Sequence, residues 1–320
     1  MIVTSERKSS GFSLIELMIA ILIGLIVING VIQIVISSKR SYLDNQAVSQ
    51  IQENARFALD TLSREIKMAG YFGCMPESGG EIESTVETAA LDGYLSRNGQ
   101  VLGFEVISDA SDFPAQISGD VKAGQDVLLV RHTDPNREYM LPTSLAKTTD
   151  ISVIGNDAIS NGGPVALVSS GCELANVFTW GSGAKPEGGF SKQNFKEGSR
   201  VSPIQVHAYY IGQSSVIEDM PALKREVILP DGTATRSEEL AMGVSGMTLT
   251  MIKASNDGIT ELGAGASAAD IAEVKAIRIE LTMRSHDRVN PVEKAENGDV
   301  TNDGYIEKSA LATVRIRNRG

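Results

Sequence analysis

The distribution of apolar positions divides this 320-residue chain into three unlike parts. From Leu17 to Ile36 only Asn29 and Gln33 interrupt apolar character, giving about the 20 residues that a helix needs to cross a bilayer. The stretch that follows, SYLDNQAVSQIQENARFALDTLSREIKMAG, has no proline, and no glycine before Gly70. Within it Val48, Ile51, Ala55, Ala58, Leu62, Ile66 and Ala69 recur at spacings of three and four and form one apolar helical stripe. Gln52, Glu53, Asp60 and Lys67 occupy the opposite face. A single helix from Phe12 to Ala69 would extend about 87 Å at about 1.5 Å per residue, with Gly70 placed to cap it. Beyond Gly70 the pattern changes. DVLLVRH, VALVSS, IQVHAYYIG, MTLTMIK, KAIRIELTM and ATVRIR are short apolar or alternating runs separated by Gly, Asn and Asp clusters, and they predict a largely antiparallel sheet system. GSGAKPEGGFSKQNFKEGS has no periodicity and is expected to be an exposed loop. One helix ahead of many strands defines an α+β class.

One residue breaks the first pattern. Glu16 lies inside the apolar run of KSSGFSLIELMIAIL, where an ionised carboxylate costs roughly 2.5–3.5 kcal/mol at a bilayer centre. It needs a partner or a route to the headgroups. The leader MIVTSERKSSG is short and polar, and Arg7 and Lys8 keep it on the cytoplasmic side while the bulk of the chain passes outward. A secretory signal is cut after its apolar stretch, at small residues. Here VISSKRSYLDN offers Ser37 and Ser38 but continues in a helical pattern, and the conspicuous small residue is Gly11, ahead of the run. A cut at that point removes the charged leader and leaves the anchor attached.

The order of a basic residue, Gly, Phe, a hydroxyl residue, Leu, an aliphatic residue, Glu and Leu in KSSGFSLIELM resembles the class III signal of type IV prepilins and type II secretion pseudopilins. That resemblance implies that a prepilin peptidase cuts between Gly11 and Phe12 and methylates the new amino group of Phe12. Glu16 is then the fifth residue of the mature chain. Its implied partner is the positive N-terminal amine of a neighbouring subunit, strongly attractive in a low-dielectric setting relative to either charge alone. Farther on, NARFALDTLSREIKMAGYFGC resembles the helix end of PilW-type minor type IV pilins. GCELANVF, VHAYYIG, LAMGVSGMTL, VKAIRIELTMRS and ATVRIRNRG are similar to later segments of that family in the same order. The implied architecture is pilin-like: residues 1–11 a cleaved leader, 12–36 a transmembrane and filament-core helix, 37–70 its amphipathic continuation, and 71–320 a β-rich periplasmic or extracellular head.

Composition and candidate chemistry narrow the function. A net charge of −11 argues against a broad basic face for nucleic acid. Cys74 and Cys172 are too few and too far apart for a CxxC motif; in an exported chain they most simply form one disulfide, the alternative being two buried thiols. His132, His207 and His286 are scattered, and neither HExxH nor a GxSxG elbow occurs. His207 falls on a strand pattern and reads as a structural histidine, His286 and Asp287 in SHDR lack a nucleophile, and GAGAS lacks the lysine of a phosphate loop. No catalysis and no cofactor are expected. Asp299, Thr301 and Asp303 in NGDVTNDGYIE resemble the first half of a calcium loop, but Ala310 occupies the twelfth position, and such clusters also serve ordinary turns.

These readings favour a structural and interaction protein: a minor pilin that joins other minor pilins and the major pilin in a tip complex initiating type IV pilus assembly. Prepilin peptidase and the inner-membrane assembly platform are its further expected partners, while the helix stripe and the head offer contacts. Twitching motility, adhesion or DNA uptake would follow from the filament. The expected location is the inner membrane of a Gram-negative bacterium, a single pass with the head in the periplasm, and then the pilus at the cell surface. A minor pseudopilin of a type II secretion system shares the N-terminal signal. A membrane-anchored periplasmic binding protein or enzyme would instead retain its leader and present a concave site with convergent polar groups.

Overall fold

The computed structural model describes residues 13–75, 81–84, 96–97, 100–101, 103–114, 117, 119–144, 159, 163–180, 195–228, 237–255, 258–289, 293–294 and 300–316. Its first element is one helix, α1 (Leu14–Met68), of 55 residues. At about 1.5 Å per residue it extends about 80 Å. Gly70, at φ +73°, turns the chain out of the helix in the left-handed conformation that glycine adopts without a Cβ penalty.

Among the described residues seventeen strands, one turn of 3-10 helix (Ala110–Asp112) and a short α-helix follow. The strands are β1 (Glu81–Ser84), β2 (Ser96–Arg97), β3 (Gln100–Val101), β4 (Phe104–Ile107), β5 (Val127–Thr133), β6 (Tyr139–Met140), β7 (Pro164–Val168), β8 (Leu174–Thr179), β9 (Arg200–Gln213) and β10 (Pro221–Ile228). Then come β11 (Ser237–Met242), β12 (Val244–Ser255), β13 (Gly258–Leu262), helix α2 (Ala268–Glu273), β14 (Val274–Arg284), β15 (Glu293–Lys294), β16 (Val300–Asn302) and β17 (Glu307–Arg315). The chain divides into two compact units, one comprising Met1–Ser49 with Asp287–Ile306, the other Gln50–His286 with Glu307–Gly320. In the smaller, β15 pairs with β16, the Val289 N–H donates to the Gly304 carbonyl, and the Arg288 guanidinium lies over the Tyr305 ring.

In the larger unit a nine-stranded sheet is built around β9. The first residues of β9 pair with β6 and β7, and its remainder with β5 and β10. Every ladder is antiparallel except that of β1 with β8. A second sheet runs β13-β12-β14-β17. All six runs that the apolar pattern marks as strands lie on strands, and the α+β class holds.

The central sheet is covered on both faces, which explains the near-continuous apolar character of DVLLVRH: every residue of β5 is buried. Ile204, Val206, Ala208 and Tyr210 of β9 pack with Val127 and Leu129 on one face, together with Phe72, Val168 and Val177. Residues of the opposite parity, including His207, meet α1, as the Glu65–His207 hydrogen bond shows. Ile51, Ala55, Ala58, Leu62, Ile66 and Ala69 are all buried, while Val48 is only partly so and Ala47 is buried beside it in sequence. From Ile51 to Ala69 the stripe is thus consumed as internal packing of the head.

One local expectation changes. Within GSGAKPEGGFSKQNFKEGS, residues 181–194 lie outside the described residues, but Phe195 and Ser199 are buried rather than exposed. Phe195 joins Trp180, Phe178, Leu141 and Val201 in a separate apolar cluster, so tertiary packing recruits an aromatic from a non-periodic run. GAGAS leads into α2, where the Ser267 hydroxyl accepts from the Asp270 N–H as an N-cap.

Where α1 ends, the backbone is knitted into the sheet. The Gly70 N–H donates to the Arg131 carbonyl, and the Thr133 N–H to the Tyr71 carbonyl. Gly103 lies so close that a Cβ there would be 2.5 Å from the Gly70 nitrogen. Just beyond, Cys74 and Cys172 are joined by a disulfide with Cα atoms 5.4 Å apart, tying the segment after the helix to the β7–β8 turn. We expect Gly103→Ala to destabilise the head by about 1–3 kcal/mol, read as a lowered midpoint in urea, because the obstructing atoms are backbone. Cys74→Ser should lower the melting temperature of the oxidised protein, opening a loop of sequence separation 98 whose closure is worth up to about 4.7 kcal/mol in the chain-entropy account.

Candidate functional site

The first part of α1 is a continuous apolar exterior. Leu14, Ile15, Leu17, Met18, Ile19, Ile21, Leu22 and the aliphatic residues through Ile36 are exposed. Among the described residues α1 is the one helix long and apolar enough to cross a membrane, with a window of mean hydropathy 2.8 that is nowhere buried. Asn29, one of its two polar interruptions, donates from Nδ2 to the Leu25 carbonyl at 2.9 Å and so satisfies part of its amide within the helix. Glu16 lies in the first helical turn, where a negative charge complements the positive end of the helix dipole. Ser13 precedes the helix and Glu16 follows three residues later, the spacing of a capping box. Gly11 and Phe12 lie outside the described residues.

Residues 7–28 match the prokaryotic N-terminal methylation motif. The match brackets Gly11, Phe12 and Glu16. No curated protein sequence matches the chain. Among solved structures, a type IV-like pilin from Thermus thermophilus is similar to it at 16% identity and a TM-score of 0.25, covering 50% of this chain and 85% of its own. Overlap at that level does not define a shared fold, and the architecture rests on this chain's own helix and sheets.

The head holds a second constellation that the sequence pattern does not announce. The β5–β9 ladder sets Val130 opposite His207 and His132 opposite Gln205, so the two histidines are diagonal neighbours on one face. Their rings meet edge-on with centroids 5.3 Å apart. Glu65 of α1 joins them: its Oε2 is 3.1 Å from His207 Nδ1 and 3.7 Å from His132 Nε2, with side-chain exposures of 18% for Glu65, 10% for His207 and 8% for His132. Burial opposes ionisation of Glu65, but the two imidazoles facing it, His132 and the hydrogen-bonded His207, outweigh that cost and hold the carboxyl far below its ordinary range. Burial likewise disfavours a charged His132, and the Glu65 carboxylate overcomes it, raising the imidazole. Tyr209, on the same face, is pushed well above the phenol range by burial and by the Glu65 charge. His207 is buried on its strand and has a partner that no spacing in the sequence could reveal, since Glu65 is 142 residues away.

The remaining candidates are less organised. Asp299 lies outside the described residues, and Asp303 uses Oδ1 to accept the Tyr305 N–H in a local turn. The groove beside α1 lined by Glu53, Asn54, Arg56, Phe57, Asp60 and Leu240 is an open strip along an exposed helix face. Phe57, half exposed, is the large apolar side chain that the head-bound part of α1 leaves outside its core.

Removing Glu65 leaves two buried imidazoles facing each other without their acceptor. Glu65→Ala should therefore cost about 3–5 kcal/mol in chemical unfolding, as breaking a buried pair does, whereas Arg64→Ala, which removes a solvent-exposed pair with Asp60, should cost at most about 0.5 kcal/mol.

Proposed function

We propose that this chain is a pilus or pseudopilus component of the type IV pilin kind, and more closely a PilW-like minor pilin that takes part in initiating pilus assembly. The observation that carries the reading is the methylation motif at residues 7–28 running directly into a helix that from Leu14 to Ile36 exposes apolar surface apart from isolated polar positions. In this reading a prepilin peptidase removes residues 1–11 and methylates Phe12, α1 sits in the inner membrane, and the head faces the periplasm. The chain then moves laterally from lipid into a filament core built from the corresponding helices of its neighbours. Both surroundings accept an apolar helix, so the transfer itself needs little desolvation. Glu16 supplies the register, because its carboxylate is comfortable only where a neighbouring N-terminal amine meets it.

Recognition of other pilins falls to the head, since the amphipathic stripe is already buried. The similarity of NARFALDTLSREIKMAGYFGC and of the later segments to PilW-type minor pilins favours the pilus over a type II secretion pseudopilus. No catalytic step is assigned to the chain.

The deciding experiment is intact-mass and N-terminal peptide analysis of the membrane form, made with and without prepilin peptidase. We expect a chain beginning at methylated Phe12 only when the peptidase is present. Retention of Met1, or a cut after Ile36, would overturn the reading and leave a membrane-anchored binding protein or enzyme in its place. Glu16→Ala should be processed and inserted normally yet fail to support piliation, and a deletion strain should lose pili while type II secretion continues.

A further inference from the structure

Glu65, His132 and His207 have a feature that an ordinary ion-pair cluster does not need. His132 Nδ1 is 2.9 Å from the carbonyl of Thr133, so that nitrogen carries a proton and donates it. Its other nitrogen, Nε2, is buried and makes no hydrogen bond. Glu65 Oε2, the nearest acceptor in the cluster, is 3.7 Å away, beyond hydrogen-bond range. A backbone carbonyl that fixes one imidazole nitrogen while the other points into a polar cluster is the outer-shell arrangement that orients a metal-ligating histidine.

The distances suit an ion. The ligand atoms of the three residues all lie within 4.8 Å of one another. Ligands about 2.0–2.1 Å from a tetrahedral zinc ion are about 3.3 Å apart. The observed 3.1 Å and 3.7 Å bracket that edge. Two imidazoles and one carboxylate select a borderline transition metal over calcium or magnesium, which prefer all-oxygen shells.

We propose that Glu65, His132 and His207 form a site for one divalent ion of the zinc class, which clasps the C-terminal part of α1 to β5 and β9. One carboxylate neutralises part of the ion's charge, and three protein ligands leave a fourth position for water. Tyr209, two residues from His207 on the same face, has a buried hydroxyl that also lacks a hydrogen-bond partner, and such a water would supply one. Arg225, beside Tyr209, is the cation that opposes the site; its guanidinium is engaged by Glu238. The clasp would make the helix–sheet junction of the head dependent on metal, and it does not rest on the filament reading.

The test uses the full chain in detergent, stripped with a chelator and dialysed. Zinc should then bind at one ion per chain, and a hundredfold excess over its dissociation constant should raise the melting temperature by about 5–10 °C. Cobalt in its place should give the intense visible absorption of a tetrahedral ion. His132→Gln and His207→Gln should each weaken zinc binding by at least about 100-fold, more than loss of an outer-shell partner does, whereas His286→Gln should leave it unchanged. If either cluster variant fails to fold, the wild-type stoichiometry and cobalt spectrum still decide. Absence of stoichiometric zinc binding by the wild-type chain, or equal binding by folded cluster variants, would overturn the proposal.

Discussion

A backbone in hydrocarbon must satisfy its own hydrogen bonds, and α1 meets that requirement by remaining one uninterrupted helix through 55 residues. Its N-terminal part exposes isoleucine, leucine and valine on all sides, a surface that water does not tolerate and that lipid or a ring of like helices does. Its C-terminal part narrows the apolar surface to a single stripe and buries it in the head. One continuous element therefore serves two solvents, and the change between them is written in side-chain chemistry alone, without a kink-forming proline.

The head answers with a sheet that is covered on both faces. β9 is long enough to pair with different neighbours along its length, and alternation along it sends Ile204, Val206, Ala208 and Tyr210 to one core and His207 toward the helix. Placing polar groups on the helix-facing side is costly unless they find each other. Glu65, His132 and His207 do so, which converts a desolvation cost into a specific contact between elements distant in sequence. Close approach at Gly70 and Gly103, together with the Cys74–Cys172 bond, fixes the point at which helix gives way to sheet.

These constraints separate the proposed tasks along the chain. The methylation motif, with Glu16 inside it, lies at the apolar end of α1, where the proposed recognition would depend on charge in a low-dielectric medium. In the proposed role, specificity for partners would fall to surfaces of the head, because the stripe is already internal there. A structural ion held by Glu65, His132 and His207 would tie the C-terminal part of α1 to β5 and β9.

Much of this was determined by sequence alone. An apolar run, a three-and-four stripe, alternating strand patterns and a glycine at the helix end are local signals, and each depends only on backbone geometry and on which side chains avoid water. The methylation motif at residues 7–28, with the charge of Glu16 inside it, is likewise legible, because it is contiguous. What the sequence could not decide is which distant residues meet. The burial of Phe195 out of a loop-like run, and above all the convergence of Glu65 with His132 and His207, are set by strand register and helix placement. Periodicity tells which face of each element is apolar, but not which elements share an interior. Only tertiary structure brings a helix carboxylate within 3.1 Å of a strand imidazole 142 residues away.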